Sequence, residues 1–220
     1  ADAASLSAGA VRAGPHPAPK GLPQRVLRGV SRGHRLPPAG RPREGRLSEQ
    51  EIIDRTPEPN TVESLTRDLS DLGIEPGMVL LVHTSLSALG WTVSGPVSVV
   101  LALEAAVRDY GTLVMPTQTG HLCDPGEWEH PPVPKGWWEL IRRAMPAFDP
   151  ELTPSRGMGA VPECFRTQTG VVRSLHPHDS FAARGEHAIE ICSDHELDFG
   201  LGEGSPLARI YDLEGWVLLL

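Results

Sequence analysis

No stretch of this chain approaches the roughly 18 consecutive apolar residues that a membrane-spanning helix needs, so a soluble protein with no membrane partner is expected. Cysteine is scarce. Cys123, Cys164 and Cys192 form an odd, scattered set with no C-x-x-C pair. That argues against a disulfide framework and for a reducing, cytoplasmic setting. Neither HExxH nor paired-cysteine spacing occurs. His121, Cys123, His130, His176 and other histidines could seed a zinc site, but without such spacing no metal is expected. Residues 1–50 contain no aromatic side chain and no apolar periodicity, and they are rich in glycine and proline. Residues 1–46 therefore read as a disordered N-terminal extension, and 47–220 as the folded domain. The extension is Arg-rich and acid-poor like a transit peptide, yet shows no amphipathic helix. With no initiator Met, an upstream extension is expected rather than a targeting signal.

Charge is unevenly spread. The net formal charge is −8, but residues 1–50 hold nine basic and three acidic groups, leaving 51–220 at −14. An acidic body repels nucleic acid and attracts polycations.

The ordered region begins near Leu47 and reads as alternating α and β. Asn60 resembles an N-cap with Glu63 closing a capping box, followed by Val62, Leu65, Leu69 and Leu72 at helical spacing. Met78–His83 is a short apolar run, as expected of a strand covered on both faces. A helix with Pro96 in its first position follows, with Val97, Val100, Leu101, Ala105 and Val107 expected to face inward, and then a strand over Thr112–Met115. Strand, loop, helix, strand is a βαβ unit, so the fold class is α/β with a central, mostly parallel sheet flanked by helices. Ligands of such sheets bind at the carboxyl ends of strands, which here puts 83–90 and 116–119 on one rim. Residues 120–155 are a Trp- and Pro-rich insertion with a short helix at Trp137–Ala144. A loop this long in a compact domain is commonly functional.

A short helix from Pro162 to Arg166 precedes a strand at Val171–Ser174, which delivers Arg173-Ser-Leu-His-Pro-His-Asp-Ser180. Pro177 fixes its own φ and biases His176 toward extended backbone, giving a stiffly mounted imidazole suited to general-base work. Ala188–Cys192 reads as helix or strand. Ser205 caps a helix that opens with Pro206 and turns Leu207, Ile210 and Tyr211 inward. Trp216–Leu220 is an apolar strand on which the sequence stops, so a missing C-terminal portion is expected.

Four motifs then stand in one order: Leu81-Val-His-Thr-Ser-Leu-Ser-Ala-Leu-Gly90, Thr153-Pro-Ser-Arg-Gly-Met-Gly159, Arg173-Ser-Leu-His-Pro177 with Ser180, and Gly202-Glu-Gly-Ser-Pro206. The order closely resembles the aminoglycoside 3-N-acetyltransferases, a family distinct from the GNAT fold, across roughly residues 60–220. The resemblance implies transfer of acetyl from acetyl-CoA to the 3-amino group of a 2-deoxystreptamine antibiotic, by a monomer or homodimer. In its light His176 is the first candidate to deprotonate the amine, Glu203 its orienting partner or a water-relayed base, and His83 a second imidazole on the rim. Thr84 and Ser85 are candidates to stabilise the oxyanion. Ser85, Leu86, Ser87, Leu89 and Gly90 are candidates for the phosphates and pantetheine of CoA, with Met115, Pro116 and Thr117 as the neighbouring wall. Asp124, Asp149 and Glu151 of the insertion are candidates for the polycationic substrate. An N-acyltransferase for another amine, a non-catalytic drug binder and an acyl-cysteine enzyme stay open at this point.

Overall fold

The structure is a computed structural model that describes residues 26–28, as backbone, and 48–220. Strands β1 (Val26–Arg28), β2 (Val79–His83), β3 (Thr112–Pro116), β4 (Val172–Arg173), β5 (Phe181–Gly185) and β6 (Trp216–Leu219) form one sheet in the order β1-β6-β2-β3-β5-β4. The pairs β1–β6, β6–β2 and β2–β3 are parallel, whereas β5 is antiparallel to both β3 and β4. The α/β class and flanked central sheet are as expected, but the parallel character is partial because β4 and β5 form a hairpin. The reading of 1–46 as disordered lies outside the described residues except at β1, which pairs with β6.

The helices are α1 (Glu49–Arg55), α2 (Val62–Asp71), α3 (Leu86–Leu89), α4 (Pro96–Val107), α5 (Trp138–Ala144), α6 (Ala160–Arg166), α7 (Ala188–Cys192) and α8 (Pro206–Asp212). Successive side chains of a strand point to opposite faces. Leu80 and Val82 therefore meet Leu65 and Leu69 of α2, Leu103 of α4 and Phe165 of α6 on one side. Val79 and Leu81 meet Ile191 of α7 and Ile210 of α8 on the other. Two covered faces explain the uniformly apolar 78–82 run.

Three local expectations are corrected. The N-cap of α2 is Thr61, whose hydroxyl accepts from Ser64 N–H while Ser64 Oγ accepts from Thr61 N–H. Asn60 instead donates its side-chain amide to the carbonyls of Leu89 and Trp91, tying the chain to the loop after α3. In α4 the inward face is Val99, Val100, Leu103, Ala106 and Val107, while Val97, Leu101 and Ala105 point outward. That helix is apolar on nearly every side, so periodicity selects no face. Tyr211 is exposed, although Ile210 beside it is buried.

The strand directions bring the carboxyl ends of β2, β3, β4 and β6 to one rim. The insertion folds beside it as 3₁₀ turns at Gly120–Leu122, Pro125–Glu127 and Lys135–Trp137, followed by α5.

Candidate active site

β4 ends at Arg173, and the chain then turns through Ser174-Leu-His176-Pro-His-Asp179 before β5 begins at Phe181. Two backbone groups fix the His176 ring: Nδ1 accepts from the N–H groups of His178 at 3.1 Å and Asp179 at 2.9 Å. A nitrogen that accepts twice cannot carry a proton, so in the neutral ring the hydrogen sits on Nε2. There it donates to the carbonyl of Leu197 at 3.3 Å. The ring is 6% exposed and lies against a second imidazole, His195, with centroids 4.7 Å apart. His195 is satisfied at both nitrogens, by the Ser174 hydroxyl at 2.9 Å and the Gly200 carbonyl at 2.6 Å. Burial holds its pKa below the ordinary imidazole value, partly opposed by the Gly200 carbonyl. His195 thus backs His176 as a neutral, fully bonded ring.

Residues 196–204 cover the ring. A Cβ added at Gly200 would meet both His176 Nε2 and Asp179 Oδ2 at 2.6 Å, so only glycine permits this approach. The same loop carries Glu203, which is exposed and makes no hydrogen bond or ion pair with a described residue. The groups orienting His176 are therefore backbone N–H groups, and the carboxylate that shares the Gly200 approach with its Nε2 is that of Asp179. Sequence reasoning missed both His195 and Asp179 as parts of this cluster. The Ser-Asp-His-Glu run around 195 resembles a solvated turn, and only the fold shows that it is buried.

His83 ends β2 on the same rim. Its carbonyl accepts from Leu220 N–H, and surrounding atoms push its imidazole pKa down. Next to it, Thr84 Oγ1 is buried with no hydrogen-bond partner. In the following loop Ser85 and Ser87 are exposed, with hydroxyls 3.4 Å apart. Leu86 and Leu89, by contrast, pack onto the core, and Gly90 is pressed against Thr56. Met115, Pro116 and Thr117 are fully buried rather than lining the rim. The β4–β5 hairpin, absent from the sequence reading, covers that end of β3. Of the residues expected to meet CoA, only Thr84, Ser85 and Ser87 offer polar groups without a core role.

The three carboxylates of the insertion differ in what they already do. Asp124 is clamped by Arg142 at 2.7 and 3.0 Å, and that contact lowers its pKa. Asp149 caps a turn, its Oδ1 accepting from the N–H groups of Glu151 and Leu152, both at 2.8 Å. Glu151 is exposed. Thiol chemistry is poorly served: burial pushes Cys192 up to about 12 and also raises Cys164, leaving little thiolate at neutral pH. Among the described residues no cluster of three or more His, Cys, Asp or Glu side chains is placed to hold a metal ion.

A family model described as aminoglycoside 3-N-acetyltransferase matches residues 81–220. The chain is 49% identical over 172 residues to the SPbeta prophage-derived aminoglycoside N(3')-acetyltransferase-like protein YokD of Bacillus subtilis (strain 168), covering 78% of this chain and 63% of that protein. It superposes on the crystal structure of the YokD protein with a TM-score of 0.76, 48% identity and coverage of 78% and 64%. Identity to aminoglycoside N(3)-acetyltransferase VIII of Streptomyces fradiae is 42% over 177 residues, covering 79% and 60%. A structure described as AAC-IIIb binary with CoASH aligns with a TM-score of 0.64 and 35% identity, covering 74% and 60%. The chain spans about three-fifths of the length of the curated relatives it matches.

Proposed function

Because the chain belongs to the aminoglycoside 3-N-acetyltransferase family, we propose that the protein transfers acetyl from acetyl-CoA to the 3-amino group of a 2-deoxystreptamine aminoglycoside by direct attack of the amine. The observation that carries this reading is a stiffly held His176 on the carboxyl rim of the sheet, within the match to the family. The donor supplies an acyl group already activated as a thioester. Thr84 would hold its carbonyl: a buried hydroxyl without a partner at a strand end is a donor awaiting an acceptor, so the residues present fit this co-substrate. Ser85 and Ser87 would meet the pantetheine arm.

The amine arrives as an ammonium ion and must lose a proton before it attacks. In the first reading His176, turned to leave Nε2 unprotonated and assisted by Glu203 as partner or water relay, accepts that proton, a contribution of about 10²–10⁴-fold. Juxtaposing two bound substrates supplies much of the remaining acceleration. A second reading is favoured by the two backbone donors on Nδ1, which keep the neutral ring protonated at Nε2. His176 then donates a hydrogen bond to the developing oxyanion, and a carboxylate, Asp179 directly or the exposed Glu203 through water, takes the proton.

Thiol release from acetyl-CoA over a panel of aminoglycosides tests the reaction: release that depends on the drug supports it, and its absence rejects it. His176→Ala is expected to lower kcat by two or more orders of magnitude with the fold intact. Near-normal turnover removes His176 from the mechanism. His176→Gln separates the readings, because it keeps a donor but cannot act as a base. Turnover well above that of the alanine variant favours the donor role.

A further inference from the structure

We propose that Arg173 is a positioning residue for the amine acceptor, its guanidinium fixing the wall formed by residues 147–154 against the rim that carries His176. The inference rests on the proposed aminoglycoside acetylation and on the expectation from sequence that the acidic insertion meets the polycationic substrate.

Arg173 is 8% exposed. Its Nε reaches Thr117 Oγ1 and Ser180 Oγ, each at 3.2 Å, and its Nη2 donates to the Thr117 carbonyl at 2.7 Å. Its Nη1 donates to the carbonyls of Pro150 at 3.1 Å and Thr153 at 2.5 Å. The guanidinium also lies over the Phe148 ring, 4.9 Å from its centroid. No carboxylate stands at ion-pair distance among the described residues. Burial, with Arg166 adding to it, lowers the pKa to about 10, so the group remains cationic at neutral pH.

A buried cation satisfied only by neutral oxygens is an unfavourable way to gain stability, since an apolar side chain of similar size often serves as well. What the planar fork adds is direction, because it holds oxygens from several segments in one fixed geometry. Here those segments are the insertion, the end of β3 and the start of β5. Arg173 itself closes β4, three residues before His176, so the insertion wall and the imidazole share one mount.

That wall borders an open space. Asp149, Leu152 and Thr153 line a cavity of about 550 Å³ together with His121 and Trp128. His121 Nδ1 and Trp128 Nε1 are buried without a hydrogen-bond partner. Such polar atoms are rare in native interiors and call for a partner from outside. Burial, then Arg156, then Arg173 hold His121 below the ordinary imidazole pKa, so the guanidinium's charge reaches the cavity.

The test uses Arg173→Lys, Arg173→Met and the milder Phe148→Leu in the full chain. Arg173→Lys keeps the charge and loses the fork. We expect it to raise KM for the aminoglycoside tenfold or more and to leave KM for acetyl-CoA within about twofold, since a shift of about 1 Å at a binding wall is enough for such losses. Trypsin should cleave faster after Arg156. In Arg173→Met, NMR should show His121 titrating at higher pH. Phe148→Leu should give the same KM split, smaller. An unchanged acceptor KM in folded variants, or two KM values rising together, overturns the proposal. If the Arg173 variants do not fold, the split in Phe148→Leu decides. If the wild-type protein releases no thiol with any aminoglycoside, the assigned reaction fails separately. Unchanged trypsin cleavage after Arg156 in the folded Arg173 variants would then reject the docking role itself.

Discussion

The two halves of the insertion between β3 and α6 are both held by arginine, at opposite depths. In the first half Arg142 clamps Asp124 in the open, with both side chains 44% exposed. In the second half the Arg173 and Arg166 side chains are buried: Arg173 reaches the carbonyls of Thr117, Pro150 and Thr153, while Arg166 pairs with Glu163 and donates to Glu151 O at 2.9 Å. An exposed pair competes with water and gains little from its geometry. A buried guanidinium has no water to fall back on, so each carbonyl it reaches is fixed in place. The second half is therefore the rigid one, and it is the half that meets the rim. The first half carries the unpartnered nitrogens of His121 and Trp128 and the exposed Trp137.

The sharpest test of that contrast is Arg166→Ala. It removes the fork from Glu163, whose carboxylate also accepts from the hydroxyl and N–H of Ser155. Breaking a buried pair costs about 3–5 kcal/mol. Here Glu163 is 35% exposed and keeps Ser155, so about 2–3 kcal/mol is expected by denaturant unfolding. A loss below about 1 kcal/mol would erase the distinction between the halves.

A smaller effect should appear with pH. Burial alone would raise the Glu163 pKa, but Arg166 and Ser155 hold it at about 2, against an ordinary 4.5. The folded-state value lies below the unfolded one, so the stabilisation is complete above pH 4.5 and is lost as pH falls from there toward 2. Glu163→Gln should flatten this part of the acid-unfolding curve. If wild type and variant lose stability in parallel between those values, Glu163 does not carry the effect.

The same difference in depth decides what the sequence could show. β2 and β3 were legible because both their faces are covered, which demands an apolar run between turns. His176 was legible because Pro177 announces a stiff segment. β5 was not, since its buried centre is Ala182 and Ala183, small residues with little strand preference. Arg173 stood in one of the four motifs, but its buried role was not legible either. An arginine in a short strand normally faces solvent, and this one is enclosed only because Phe148, Pro150 and Thr153 fold back over it from some 20 residues earlier in the chain. The carboxylates of the insertion suited a polycation by type, but their existing hydrogen bonds are set by tertiary contacts that no spacing encodes.

The smallest effect is expected at Asp124, where the sequence and the geometry disagree most. As a substrate ligand, Asp124 would raise the acceptor KM when neutralised. As drawn by its contacts, it is occupied by Arg142 and by the N–H of Gly126 at 2.8 Å. Asp124→Asn removes the ion pair and retains an oxygen for Gly126, so it isolates the pair from the turn. An exposed pair is screened by water, so the shift in unfolding free energy should be far smaller than that of Arg166→Ala and shrink further in high salt. The acceptor KM should stay within about twofold, far from the tenfold expected of a displaced wall. A large rise in acceptor KM with unchanged stability would mean that Asp124 leaves Arg142 for the drug. The first half of the insertion would then join the second as part of the acceptor wall.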